Sequence, residues 1–244
     1  MNTAMDLAQR ITAALEFERR INLHRFPLRV LSSGDMLVLE GHAENVAAKR
    51  LALRIARDLA GSEVTVIDSL DVAPSLSRPD GDMLETFTQA LIESPELKRF
   101  TIRRHHRDEL QLVRLAPDER ALGAIEFGIS EGVVELTGSV PSLSHRRVVE
   151  ALAWWLAGCC NVINGLRVDP PQCDGDDELA DAVGLVLEID PSLPQSQPVG
   201  VEAVFGVVTL RGALRSAGQR QRAEYDAWCV EGVKEVRNAI EVAT

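Results

Sequence analysis

Basic residues concentrated in one short segment are the first candidates for chemistry in this sequence. The run from Lys98 to Arg107 has five formal positive charges and no acid, in a chain of 244 residues whose formal net charge is −11. Each basic group near an anionic surface contributes on the order of 1 kcal/mol. The run therefore predicts contact with lipid headgroups, a polyphosphate or an acidic partner, and its cations are Lys98, Arg99, Arg103, Arg104 and Arg107. The alternative is a solvated strand whose arginines pair with acids elsewhere in the chain.

A second group of basic residues occupies one repeated position. Lys49, Arg146 and Arg220 each stand eight residues after a glycine. This position could form a repeated anion-binding site, and it could equally be the solvent side of an amphipathic helix.

Catalytic and metal-binding patterns are weak in this sequence. The glycines form neither a phosphate-binding loop nor a dinucleotide-binding turn, and the histidines lack the spacing of a zinc site. Ser142 and Ser144 lie near His145, but a nucleophile needs a base that a third group orients. Cys159 and Cys160 are interpreted as small buried thiols, with a redox pair as the alternative. We expect no enzyme, no cofactor and no metal.

Composition excludes several classes of protein. Apolar residues make up 45% of the chain, which is enough for a buried core. No window approaches the roughly 18 apolar residues that a membrane span needs. The negative charge argues against general nucleic-acid binding, which requires a positive surface. Because charged residues interrupt the first 20 positions, no export signal is visible, and a cytoplasmic location is expected.

Three segments of the chain repeat one pattern. Each has a short apolar run that ends on a glycine, followed twenty residues later by a second glycine and another alternating apolar run. A helix-period stripe separates the two glycines, and the flanking runs have the period of half-buried strands. These glycines are predicted to be structural; they are Gly41, Gly61, Gly138, Gly158, Gly212 and Gly232.

Each copy is predicted to run helix–strand–strand–helix–strand, with two helices on one face of a three-stranded sheet. The sequence Gly-Val-Val-x-Leu-x-Gly at 132–138 and 206–212, and the later Gly-Val-x-x-Val-x-Asn-x-Ile-x-Val at 232–242, resemble the BON domain of bacterial osmotic-stress and envelope proteins. The first copy departs most, with Asp68 where the others have Asn164 and Asn238. The fold class is therefore α+β, with three tandem BON-like units.

Predicted domain boundaries follow two short linkers rich in Pro, Ser and Gly. The units are 1–73, 81–169 and 176–244, and the second contains an inserted basic hairpin at about 96–120 that turns near Arg107.

The resemblance implies a non-catalytic binding protein that attaches to phospholipid or another anionic surface, or to envelope components, and acts in stress protection. Two alternatives stay open: a cytoplasmic potassium-binding sensor module, and a scaffold or chaperone-like protein that binds other proteins. An oligomeric state is not predicted.

Overall fold

The computed structural model describes residues 3–33, 36–62, 64–107, 109–117 and 121–243. The chain divides into two compact units, residues 1–73 and residues 74–244. Among the described helices, none combines the length and the apolar character needed to cross a membrane.

The first unit is one copy of the repeated pattern. Its elements are, in chain order, α1 (Thr3–Phe17), β1 (Leu28–Ser33), β2 (Met36–Ala43), α2 (Val46–Ala60) and β3 (Thr65–Val72). The sheet order is β1-β2-β3, with β1 antiparallel and β3 parallel to the central strand.

The second unit contains the other two copies. Repeat 2 consists of α3 (Asp80–Glu93), β4 (Phe100–His106), β5 (Glu109–Arg114), β6 (Gly123–Ser130), β7 (Val133–Val140), α4 (Leu143–Trp154) and β8 (Asn161–Val168). Repeat 3 consists of α5 (Asp176–Ile189), β9 (Gly200–Val204), β10 (Val207–Leu214), α6 (Ala217–Cys229) and β11 (Glu235–Val242). The sheet of repeat 3 has the order β11-β10-β9.

The predicted α+β class and the three copies are confirmed. The sheet of repeat 2 differs from the expected three strands, because it has five in the order β5-β4-β6-β7-β8. The inserted segment forms the predicted hairpin, with His106 opposite Glu109. Its first strand, β4, pairs in parallel with β6, and this pairing joins the insertion to the repeat's own sheet.

The second helix of every copy buries its predicted inward stripe against the sheet. Ala52 and Ala56 of α2 are fully buried, and so are the equivalent residues of α4 and α6, Val149, Ala153, Ala223 and Ala227. Five of these six residues are alanines, and their spacing of four positions places each pair on one face of its helix. The helices α3 and α5 end just before Ser94-Pro95 and Asp190-Pro191, as expected from the restriction that proline places on its predecessor.

The first repeated glycine lies two residues before the end of the middle strand in each copy, and in repeat 2 a close backbone approach requires it. Gly138 has a φ of 121°, and a Cβ there would lie 2.1 Å from the carbonyl oxygen of Ala124 on the neighbouring strand. Of the later glycines, Gly61 directly follows α2, with a φ of 67°. Gly158 and Gly232 instead lie in the turns beyond α4 and α6, because those helices end earlier, at Trp154 and Cys229.

Candidate functional site

The cations of the basic segment fall into two groups, because the two in the middle form ion pairs with nearby acids. Arg103 of β4 places Nη1 2.8 Å from Oε1 of Glu126 on β6. Arg104, on the other side of the strand, places Nη1 2.7 Å from Oε1 of Glu85 on α3. These two arginines are therefore paired with acids of repeat 2, but β4 is not a solvated strand, because Phe100, Thr101 and Ile102 are buried.

The remaining cations lie at the two ends of β4. Lys98 and Arg99 are exposed just before the strand. Arg107 is exposed at the hairpin turn, with a φ of 49°. Among the residues that the structure describes, none forms an ion pair with Arg107.

Arg107 lines a groove at the tip of the hairpin, on the sheet face opposite the helices. The groove has a volume of about 450 Å³. Besides Arg107 its polar lining consists of His105, Ser130, Glu135 and Thr137. A guanidinium, an imidazole and two hydroxyls can all donate hydrogen bonds to an anionic oxygen, whereas Glu135 opposes an anion bound beside it. We call this feature the tip groove.

The repeated basic position joins a helix to a strand in each copy. In the first unit Lys49 is only 6% exposed. Its Nζ lies 3.1 Å from Oδ2 of Asp68 on β3 and also donates to the carbonyl of Leu70. Asp68 in turn accepts a hydrogen bond from the Leu70 amide at 2.9 Å. We call this contact the helix–strand link.

Repeats 2 and 3 build the helix–strand link from arginine and asparagine. Arg146 Nη2 donates to the carbonyl of Asn164 at 3.2 Å, and Arg220 Nη2 donates to that of Asn238 at 3.1 Å. The asparagine side chains return hydrogen bonds to the carbonyls of Arg146 and Arg220, at 3.3 and 2.9 Å. All three basic residues thus have partners inside their own repeats, and each lies in a different repeat from the others.

Arginines of α4 also join repeat 2 to repeat 3. Arg147 is 2% exposed. Its Nε donates to the carbonyl of Glu231 at 2.8 Å, and its Nη2 lies 2.7 Å from Oδ1 of Asp174 in the linker. The side chain of Glu231 pairs with Arg146. Two neighbouring arginines therefore hold the turn that follows α6.

A buried acid pair lies near the same junction. Asp226 of α6 is fully buried, and Asp190, at the end of α5, is 1% exposed. Arg222 Nε contacts both, at 3.1 Å from Asp226 Oδ1 and 2.5 Å from Asp190 Oδ2. Its guanidinium also lies 5.0 Å from the ring centre of Trp155, beyond the end of α4.

Burial and the neighbouring Asp190 carboxyl raise the pKa of Asp226 to about 9. Burial also acts on Asp190, but hydrogen bonds from Asp226, the Ser192 amide and Arg222 outweigh it and hold the pKa of Asp190 below its usual value. The two acids therefore share one proton near neutral pH, with Asp226 as the protonated partner.

Ser142 and His145 are in contact, but Ser142 serves as the N-terminal cap of α4 rather than as a nucleophile. Ser142 Oγ accepts from the His145 amide at 3.2 Å and lies 2.7 Å from His145 Nδ1. Burial lowers the pKa of His145, although the charges of Glu96 and Glu178 oppose this shift. Glu178 hydrogen-bonds to Ser144 instead of orienting the histidine toward Ser142. No group of His, Cys, Asp and Glu suited to a metal ion occurs in the part of the chain that the structure describes.

Cysteines and tryptophans pack inside the second unit. Cys159 is buried and Cys160 is partly exposed, and neither forms a disulfide. Trp154 and Trp228 are 6% and 3% exposed, so both are buried in the second unit. The carbonyl of Trp154 accepts a hydrogen bond from Tyr225 of repeat 3 at 3.1 Å, so this tryptophan lies at the junction of the two repeats.

Sequence reasoning located the basic hairpin and the repeated basic position, but it missed the junction residues Arg147, Arg222 and Asp226. One signal was available for Asp226, which lies between the inward residues Ala223 and Ala227. An acid on the buried side of a helix indicates a buried polar partner.

Comparison with known protein families decides the identity of the fold. A family model for the BON domain matches residues 4–74, 118–170 and 175–244. The chain belongs to the BON domain family. The β4–β5 hairpin lies outside the three matched segments, and the described residues between the first helix and the first strand of the other two copies form no such hairpin.

BON domains are generally non-enzymatic and associated with the cell envelope or lipid, and no catalytic family is indicated. A comparison with curated proteins gives no match.

Two solved structures have weak likeness to this chain. The C-terminal domain of CdsD, a structural protein of the type III secretion system of Chlamydia trachomatis, is 16% identical, with 91% of this chain and 93% of that chain covered and a TM-score of 0.24. The periplasmic domain of the type III secretion inner membrane protein PrgH from S. typhimurium is 15% identical, with 95% and 100% covered and a TM-score of 0.23. At these TM-scores neither likeness supports an argument about function.

Proposed function

We propose that this BON protein is a non-catalytic binder of anionic surfaces, that phospholipid headgroups are its ligand, and that it acts in envelope stress protection. The observation that carries the proposal is the tip groove, where Arg107 is exposed beside His105 and two hydroxyl side chains. A phosphate group needs a cation together with hydrogen-bond donors, and the groove offers both.

The pairing within the hairpin determines which cations are available to a headgroup. Arg103 and Arg104 are already paired with Glu126 and Glu85, so they contribute less to attraction than the formal charge of the run suggests. Arg107 is exposed at one end of β4 and Lys98 is exposed before the other. We therefore assign the main contact to Arg107.

Vesicle co-sedimentation tests this proposal. The full chain is mixed with vesicles of phosphatidylglycerol and phosphatidylethanolamine, or with phosphatidylcholine alone, at low and high salt. Anionic vesicles should bind the protein more strongly, and salt should weaken the binding. Arg107→Ala should lower the affinity about fivefold, which corresponds to the contribution of one basic group at such a surface.

Arg215→Ala is the matched control. It removes the same charge from an exposed position just after β10 in repeat 3, where none of the described residues forms an ion pair with it. Equal loss from both variants would reduce the effect to net charge and overturn the assignment to the tip groove. If neither salt nor the combined change of Arg103, Arg104 and Arg107 to Ala weakens vesicle binding, the hairpin is excluded as the contact.

The two alternative functions have distinct signatures. A potassium-sensing module should show a thermal midpoint that rises with potassium but not with sodium, because only a ligand of the folded state shifts the midpoint. Equal responses to the two salts would exclude it. A scaffold protein should co-purify with bound partners.

A further inference from the structure

The strand β5 forms one edge of the five-stranded sheet. It pairs with β4 on one side, and no described strand pairs with its other side. The described residues that follow it turn back to the start of β4, where the Ala116 amide donates to Oγ1 of Thr101 and the Leu122 amide to the carbonyl of Arg99. An edge of this kind presents a row of backbone groups that can pair with another strand.

Two exposed leucines lie on this edge strand. Leu110 is 48% exposed and Leu112 is 57% exposed. They stand opposite His105 and Arg103 of β4, so both lie on the sheet face away from the helices. Natural sheets commonly protect an edge with Lys or Pro, but the central residues of β5, Leu110 to Val113, include neither and carry no charge.

The leucines are symmetric about Gln111. If a second β5 lies antiparallel to the first with Gln111 opposite itself, each Leu110 stands opposite a Leu112 of the other copy. The four leucines then form one continuous apolar stripe on a single face of the joined sheets, as an interface with twofold symmetry requires. A bulge at Ile102/Arg103 limits the regular part of β5 to its first four residues, and this part contains both leucines.

The charge of the hairpin does not oppose this pairing. Arg103 and Arg104 are neutralised by Glu126 and Glu85 within each copy. The strands β4 of the two copies would also be separated by both β5 strands, about 14 Å at the usual strand spacing. This separation exceeds the screening length of about 8 Å at physiological salt.

We propose that this protein self-associates through β5, with two copies joining their sheets edge to edge in antiparallel register centred on Gln111. The insertion that the BON family model does not match thereby supplies an assembly edge to repeat 2. Because the interface is small, the dimer is weak and its population depends on protein concentration.

Sedimentation velocity over a concentration series tests the proposal on the full chain. Wild type should shift from monomer to dimer as concentration rises, and Leu112→Lys should move the midpoint of this shift at least tenfold higher. The substituted side chain is exposed, so the fold should remain intact, and circular dichroism checks this. The control is Ile163→Lys on β8, the opposite edge of the same sheet, where the side chain is 53% exposed; it should dimerise as wild type does.

Hydrogen exchange provides a second readout, since backbone amides of β5 should become more protected as the dimer forms. A monomer at every concentration would overturn the proposal, and so would a dimer that Leu112→Lys leaves unchanged. If wild type forms open-ended polymers and Ile163→Lys does not associate, β5 pairs with β8 of another copy. This result would also overturn the proposal.

Discussion

The shared proton of Asp226 and Asp190 makes the stability of the second unit depend on pH. The test is Asp226→Asn, which keeps the shape of the side chain and removes its ionisation. In wild type the folded pKa of Asp226 is about 9, far above the value near 3.9 of an unfolded aspartate. The protonated group therefore contributes stability that is fully present below about pH 4 and is lost as the pH rises toward 9.

The size of the effect follows from the shift in pKa. Each pH unit in this window lowers the free energy of unfolding by up to about 1.4 kcal/mol, so about 4 kcal/mol is an upper bound for the loss at pH 7. This bound already includes the charge of Arg222, which lowers the pKa of Asp226. The contribution of Asp190 to stability changes with pH in the opposite direction, because its pKa is lowered. It is present above the unfolded pKa near 4 and is lost as the pH falls below that value.

Urea unfolding at several pH values from about 5 to about 9 measures this effect. The free energy of unfolding of wild type should fall across the range, and that of Asp226→Asn should fall less, leaving the variant more stable by at least about 1 kcal/mol at the alkaline end. Asp181→Asn, an exposed change on α5, should follow wild type. If Asp226→Asn is destabilised equally at every pH, Asp226 is ionised throughout and the reasoning is wrong.

Three further substitutions test the repeats and their junction. Arg147→Met should lower the free energy of unfolding of the second unit by about 1–2 kcal/mol in urea unfolding, because it leaves the Glu231 carbonyl without its buried donor, whereas Asp174, whose side chain is 58% exposed, becomes hydrated; stability equal to wild type would contradict the role of this arginine. Gly138→Ala should cost more than about 2 kcal/mol in the same assay, since its Cβ meets a carbonyl oxygen at 2.1 Å and φ is 121°. Gly175→Ala is its control and should be close to neutral, because nothing lies within 4 Å of the added carbon. Asn238→Ala should lower the thermal midpoint by several degrees through the loss of its hydrogen bonds to Arg220 and Ile240.

Local periodicity explains why most of the fold was predictable. A glycine such as Gly138, forced by a close backbone approach, recurs at the same place in every copy, and the alanine stripes mark the helix faces that meet the sheets. The hairpin was visible because its two strands are neighbours in the chain. The parallel pairing of β4 with β6 could not be predicted. The alternation of apolar residues along a strand indicates which of its faces is buried, but it does not indicate which strand is its neighbour in the sheet.

The candidate sites were harder to predict, because their partners are distant in sequence. Arg103 pairs with Glu126 across 23 positions, and Arg222 pairs with Asp190 across 32. In a chain with 37 acids, composition alone cannot select such partners. The tip groove likewise depends on the side-by-side placement of β4, β6 and β7, which the sequence pattern does not specify.

The helix–strand link also constrains how repeats of this protein can be recombined. The first copy uses a lysine with an aspartate, and the others use an arginine with an asparagine. A chimera that brings Asn into position 68 without changing Lys49 would leave a buried ammonium with no counter-charge from that residue. Exchanging both positions for Arg and Asn changes the formal charge of the pair from zero to +1. The two positions, nineteen residues apart in the first copy and eighteen in the others, must therefore be redesigned together with the charges around them.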